Sequence, residues 1–228
     1  MRRILLIGVM FLVIGISQII GENKKQLPKG FVYLKNIIPN AVVDIKYYSD
    51  ENFIGKRIEG YEGNKGILTQ EAAGALIKVQ SELKKNNMGI KIFDAYRPQR
   101  AVNHFLKWAS NFNDKKMKSN YYPNVNKSDL VKEGYVSKKS SHSRGSTVDI
   151  TIVNLLTGQE LDMGSRYDLF DVKSHVNFKK LKSQQKANRI VLNKVMKKNG
   201  FKSYSKEWWH FTLVNEPFKD KYFDFIVK

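Results

Sequence analysis

The chain of 228 residues is 42% hydrophobic and 12% aromatic, has no cysteine, and sets 40 Lys and Arg against 21 Asp and Glu for a formal charge of +19. This balance excludes a disordered chain, a disulfide scaffold, a cysteine-held metal and a thiol nucleophile, so any metal falls to His, Asp or Glu. The charge sits in scattered pairs such as Lys84-Lys85, Lys138-Lys139 and Lys197-Lys198, with no nucleic-acid motif beside them; it reads as a solvated surface with no nucleic-acid partner, and leaves electrostatic association with an anionic cell envelope open.

At the N-terminus, Arg2-Arg3 precede an apolar run from Ile4 to Ile20 that is interrupted only by Gly8, Gly15, Ser17 and Gln18. The run is long for a signal peptide and short for a membrane span, so residues 1–21 are expected to be a signal peptide or an N-terminal anchor. Gly15-Ile16-Ser17 offers small residues for cleavage. The expected location is therefore outside the cytoplasm, periplasmic or otherwise extracytoplasmic. Residues 22–30 read as a linker, and 31–228 as one domain large enough to bury a core.

Phe31-Val32-Tyr33-Leu34 and Val42-Val43-Asp44-Ile45 read as short strands. Thr69 is placed to cap a helix whose buried side is Ala72, Ala73, Leu76, Val79 and Leu83, ended by Asn86-Asn87 and Gly89. Ile90 to Phe93 reads as the next strand, and Pro98 as the first position of a helix buried through Ala101, Val102, Phe105 and Leu106. The polar, lysine-rich stretch from Asn111 to Glu133 reads as a long surface excursion. Val148 to Val153 alternates as a strand, with Asp149 and Thr151 on one face. Gln184 to Lys198 reads as a helix with Ala187, Ile190, Val191 and Val195 as its buried stripe, stopped by Asn199-Gly200. Trp208 to Val214 is the last strand. Strands come in clusters rather than strict βαβ units, which predicts an α+β fold with a mainly antiparallel sheet flanked by helices.

Two of the four histidines lie in segments that also carry carboxylates, Ser140-Ser141-His142-Ser143-Arg144-Gly145-Ser146-Thr147-Val148-Asp149 and Glu207-Trp208-Trp209-His210. Gly145 permits a turn that lets His142 and Asp149 converge, and pairing of the two strands would add His210. Two imidazoles and one carboxylate form a zinc set with a position left open for water. Glu207 is the spare carboxylate suited to a general base, provided that a bend before the strand brings it to the face of His210. The adjacent tryptophans are expected to wall the metal from solvent, with Trp209 also in the core. Arg97, between a strand end and a proline-started helix, is placed to bind an oxyanion. His104 and His175 receive no role.

These segments carry a resemblance. Together with Tyr47-Tyr48 through Asn52-Phe53-Ile54-Gly55, Asp94-Ala95-Tyr96-Arg97-Pro98, Asp162 to Asp171 and Gly200-Phe201 through Phe211, the sequence resembles the D-alanyl-D-alanine dipeptidases, zinc peptidases that include the dipeptidase of vancomycin resistance. The resemblance runs from about Phe31 to Leu213. It implies the fold of the D-Ala-D-Ala metallopeptidases for residues 31–228, and one Zn²⁺ per chain on His142, Asp149 and His210. It implies Glu207 as catalytic base and acid, Arg97 as stabiliser of the tetrahedral intermediate, and Ser140 and Asp168 as holders of the substrate's ammonium group. The implied reaction is hydrolysis of the D-Ala-D-Ala dipeptide. A carboxypeptidase or wall-lytic peptidase acting on longer muropeptides, and a non-catalytic wall-binding module, are the alternatives.

Overall fold

The computed structural model describes residues 27–228, so the expected signal or anchor over 1–21 lies outside the described residues. Two sheets organise the chain. A small antiparallel pair joins β1 (Phe31–Tyr33) to β3 (Ile67–Thr69). The main sheet has five strands in the order β2 (Val42–Val43), β4 (Met88–Asp94), β5 (Thr147–Asn154), β7 (Glu207–Leu213) and β6 (Phe201–Tyr204). Only the β2–β4 pair is parallel. The α+β reading with a mainly antiparallel sheet therefore describes the fold.

After the short helix α1 (Leu34–Ile37), helix α2 (Gln70–Lys84) starts where Thr69 Oγ1 accepts from the amide of Ala72, and it buries Ala72, Ala73, Leu76, Val79 and Leu83. That is the predicted stripe, set by the 3.6-residue repeat. The turn that follows it closes at Asn87, which adopts a positive φ of 54°. Helix α3 (Gln99–Ser110) follows Pro98 and buries Ala101, Val102, Phe105 and Trp108. Because β5 is covered on both faces, seven of its eight residues are buried, although its sequence alternates.

The long polar stretch departs from expectation. Within 111–133, Tyr121, Tyr122 and Leu130 are fully buried, and the stretch contains α4 (Lys118–Tyr121). Lys127 buries its stem while its Nζ donates to the Asp114 carbonyl at 2.6 Å and lies 3.9 Å from the Trp108 ring centroid. Lysine-rich composition concealed aromatic anchors, because a lysine stem packs on apolar surface while its charge finds a carbonyl or a π face.

Helix α5 (Ser183–Lys198) also corrects its predicted stripe. Ile190 and Val191 are 54% and 38% exposed, and Ala187 is exposed; Asn188, Arg189, Leu192, Val195 and Met196 are buried. The two buried polar residues face a loop. Asn188 Nδ2 donates to the Asp162 carbonyl at 2.8 Å, and Arg189 donates to the carbonyls of Met163, Lys173 and His175 at 2.6–2.8 Å. A buried guanidinium is stable there because its donors are taken up by backbone acceptors that would otherwise lack partners. The loop so held carries Asp168.

Candidate metal centre and active site

The strands bring the chemistry to one end of the sheet. In the β5–β7 ladder Asp149 stands directly opposite His210, and in the β4–β5 ladder Asp94 stands opposite Asp149 after a register shift. His142 comes from a 3-10 turn over Ser141–Arg144. Ser140 caps that turn by accepting from the His142 amide, and Gly145 ends it at φ +83°. Only glycine fits here: a Cβ on Gly145 would lie 2.3 Å from the Phe31 ring.

The imidazole tautomers follow from their partners. His142 Nδ1 is 2.7 Å from the Ala95 carbonyl, which can only accept, so Nδ1 carries the hydrogen and Nε2 keeps its lone pair. That Nε2 is 3.2 Å from Asp149 Oδ1 and 3.3 Å from His210 Nδ1, while His210 Nδ1 is 3.2 Å from the same Oδ1. His210 Nε2 lies 3.3 Å from Ser141 Oγ, which suits it to be the protonated nitrogen. Asp149 Oδ1 is buried and has no hydrogen-bond partner.

His142 Nε2, Asp149 Oδ1 and His210 Nδ1 thus converge as a donor set that suits a cation. The three donor atoms lie 3.2–3.3 Å from one another, a spacing compatible with shared bonds to one zinc ion at about 2.0–2.2 Å. His142, Asp149 and His210 are the one group of this kind found among the described residues. Burial alone would raise the Asp149 carboxyl, but the two imidazoles beside it hold it well below the ordinary carboxylate range, so it is ionised.

Glu207 Oε2 lies 3.4 Å from His210 Nδ1. The expected bend takes the form of an irregularity inside the hairpin: Ser203 pairs with Phe211, yet Tyr204 pairs with Glu207, so three extra residues bulge from β7. The bulge turns Glu207 to the face of His210, against strict alternation. Burial pushes the Glu207 carboxyl up to about 7, with the charge of Asp149 adding to the effect.

Arg97 Nε donates to Asp94 Oδ2 at 2.9 Å, and Nη2 is 3.6 Å from Asp149 Oδ2. Its guanidinium packs on the Tyr47 and Phe105 rings. Asp168, at φ 57°, is buried and accepts from the Tyr47 hydroxyl at 2.8 Å. Burial raises its carboxyl well above the ordinary range, and the charges of Asp149 and Glu207 raise it further.

All seven sequence-predicted residues, Arg97, Ser140, His142, Asp149, Asp168, Glu207 and His210, line a single cleft of about 230 Å³. The tryptophans do not. Trp209 packs edge-on against Tyr167, and Trp208 Nε1 donates to Ser165 Oγ. They support the site from behind rather than walling it. Sequence reasoning gave no role to Asp94, Tyr47 or Tyr167. The Tyr167 hydroxyl lies 3.0 Å from Asp149 Oδ2 and 3.2 Å from the Tyr47 hydroxyl. All three sat inside matched segments, but Tyr47 finds its partners far along the chain, and Asp94 acts through Arg97, three residues on.

The chain is also similar to known proteins along its length. The family model described as D-ala-D-ala dipeptidase matches residues 28–228. The D-alanyl-D-alanine dipeptidase of Enterococcus faecium is 41% identical over 87% of this chain and 98% of its own length. The Enterococcus faecalis protein of the same name is 41% identical over 88% of this chain and 100% of its own. That of Streptomyces coelicolor is 39% identical over 86% and 98%.

Proposed function

The chain belongs to the D-alanyl-D-alanine dipeptidase family of metallopeptidases, and from that premise we propose that it hydrolyses the free D-alanyl-D-alanine dipeptide with a single zinc ion. The observation that carries the reading is the convergence of three donor atoms of His142, Asp149 and His210, beside one spare half-buried carboxylate and facing another in the same small cleft.

His142 Nε2, Asp149 Oδ1 and His210 Nδ1 would hold the metal. When bound, the metal supplies Lewis acidity, polarising the scissile carbonyl and making a water easier to deprotonate. Glu207 takes that water's proton on a carboxylate oxygen and later delivers it to the nitrogen of the departing D-alanine. A carboxyl poised near neutrality suits both transfers. Arg97, held by Asp94, offers its remaining N–H groups to the developing oxyanion. Asp168 pairs with the free ammonium, aided by Ser140.

The Arg2-Arg3 start and apolar run to Ile20 support a role outside the cytoplasm, on dipeptide released from peptidoglycan precursors or turnover. The basic surface favours residence near an anionic envelope.

The test is hydrolysis of D-Ala-D-Ala, N-acetyl-D-Ala-D-Ala and a pentapeptide muropeptide by the purified, zinc-loaded protein. Acetylation removes the charge that Asp168 pairs, so kcat/KM for the acetylated dipeptide should fall by roughly 30-fold to several thousand-fold. Equal cleavage of all three would replace the dipeptidase reading with the carboxypeptidase one.

A further inference from the structure

Once the internal ion pairs of the cleft are made, one carboxyl and one ammonium remain without an ionic partner. Arg97 is committed to Asp94 and Asp149, and Glu207 lies against His210. Asp168, deep in the cleft and 5% exposed, has the neutral Tyr47 hydroxyl at its carboxylate. At the rim, Lys139 lines the same cleft, is exposed, and forms no salt bridge among the described residues. Its Nζ rests 5.0 Å from the centroid of the Tyr222 ring. A π face orients an ammonium without neutralising it, so the charge stays available to a ligand.

The backbone on either side of Lys139 is fixed. The Lys138 carbonyl accepts from Gln99 Nε2 at 3.1 Å, and Ser140 caps the turn that carries His142. Lys139 is therefore anchored at the mouth rather than on a free loop.

Building on the dipeptidase reading, we propose that Lys139 binds the C-terminal carboxylate of the substrate. The cleft then recognises a zwitterion at both ends: the ammonium enters first and meets Asp168, and the carboxylate stays at the rim and meets Lys139. A longer peptide has an amide where Lys139 expects a charge. Lys139 would thus add discrimination by length to that supplied by Asp168, from the opposite terminus.

The experiment compares D-Ala-D-Ala with its C-terminal amide, using zinc-loaded wild type, Lys139→Ala and Lys139→Arg. Wild type should show a KM for the acid about tenfold below that for the amide, the usual effect of a charge-assisted hydrogen bond at a partly exposed site. Lys139→Ala should raise KM for the acid until the two substrates differ by less than about twofold, with kcat unchanged, and Lys139→Arg should keep most of the preference. Comparing the acid-to-amide ratio between proteins cancels the different basicity of the two leaving amines. If Lys139→Ala keeps the wild-type ratio, or wild type shows none, the proposal is wrong while the dipeptidase reading stands. If wild type cleaves neither substrate, the dipeptidase reading fails, and this proposal with it.

Discussion

Tyr47 donates its hydroxyl hydrogen to Asp168 Oδ2 across 2.8 Å, and neither side chain reaches solvent to any extent. Tyr47 is itself within 3.2 Å of the Tyr167 hydroxyl, which reaches the metal-site carboxylate of Asp149. The carboxylate assigned to the substrate's ammonium is thus linked by two phenols to the carboxylate assigned to the metal. Burial and negative neighbours keep Asp168 protonated well beyond the usual range, so an arriving ammonium should displace its proton.

The same displacement predicts a pH dependence of stability. A carboxyl whose pKa is raised by folding binds more protons in the folded state than in the unfolded one. Its contribution is fully present below the ordinary carboxylate range and is lost as pH rises through the raised value. Asp168→Asn keeps an acceptor for Tyr47 and cannot ionise. In substrate-free, chelated protein, its Tm relative to wild type should therefore be higher at pH 8 than at pH 5. A gap independent of pH would mean that Asp168 is already ionised.

Chelation should abolish activity, and added zinc should restore it at one ion per chain. His142→Ala, Asp149→Ala and His210→Ala should each lose the metal, read as the zinc-to-protein ratio after dialysis. Full occupancy in the His210→Ala protein would remove His210 from the ligand set.

Glu207→Ala should retain its zinc while kcat drops by roughly 10²–10⁴, the usual contribution of a positioned acid and base. KM should change little, because the carboxylate acts on the proton rather than on the bound dipeptide. Near-wild-type turnover would assign the proton transfers elsewhere.

Gly145→Ala should destabilise the fold by about 2–4 kcal/mol, combining the left-handed backbone penalty with overlap against the Phe31 ring. Denaturant unfolding measures this. Because the turn carries His142, zinc affinity should weaken in parallel. Unchanged stability would show that the Phe31 cluster can yield.

On α5, Leu192→Ala should cost about 2–5 kcal/mol and Ile190→Lys no more than about 0.5 kcal/mol. The reverse order would restore the stripe expected from sequence.

The α5 contrast shows where sequence ran out. Ile190 and Val191 look like core residues, and Asn188 and Arg189 look like surface. What buries the polar pair is the set of loop carbonyls at Asp162, Met163, Lys173 and His175, which no helical repeat reveals. Helix α2 was legible because its apolar repeat and its Thr69 cap agree. At the site, the two His-carboxylate segments and Arg97 were legible because each motif keeps its residues within a few positions. Tyr47 and Tyr167 act through partners up to 121 residues away, so their roles waited for the fold.

The bulge in β7 sets where this hairpin can vary in length. A sheet repeats every two residues, so inserting one residue between His210 and Thr212 would turn one of them to the opposite face and break the match between Asp149 and His210. A change in the Ser205-Lys206 turn has no such effect, because β7 takes its alignment with β5 directly and the bulge already uncouples it from β6. Among variants of this chain, lengthening should therefore accumulate at the turn, while the stretch from Glu207 to Thr212 keeps a fixed count of residues.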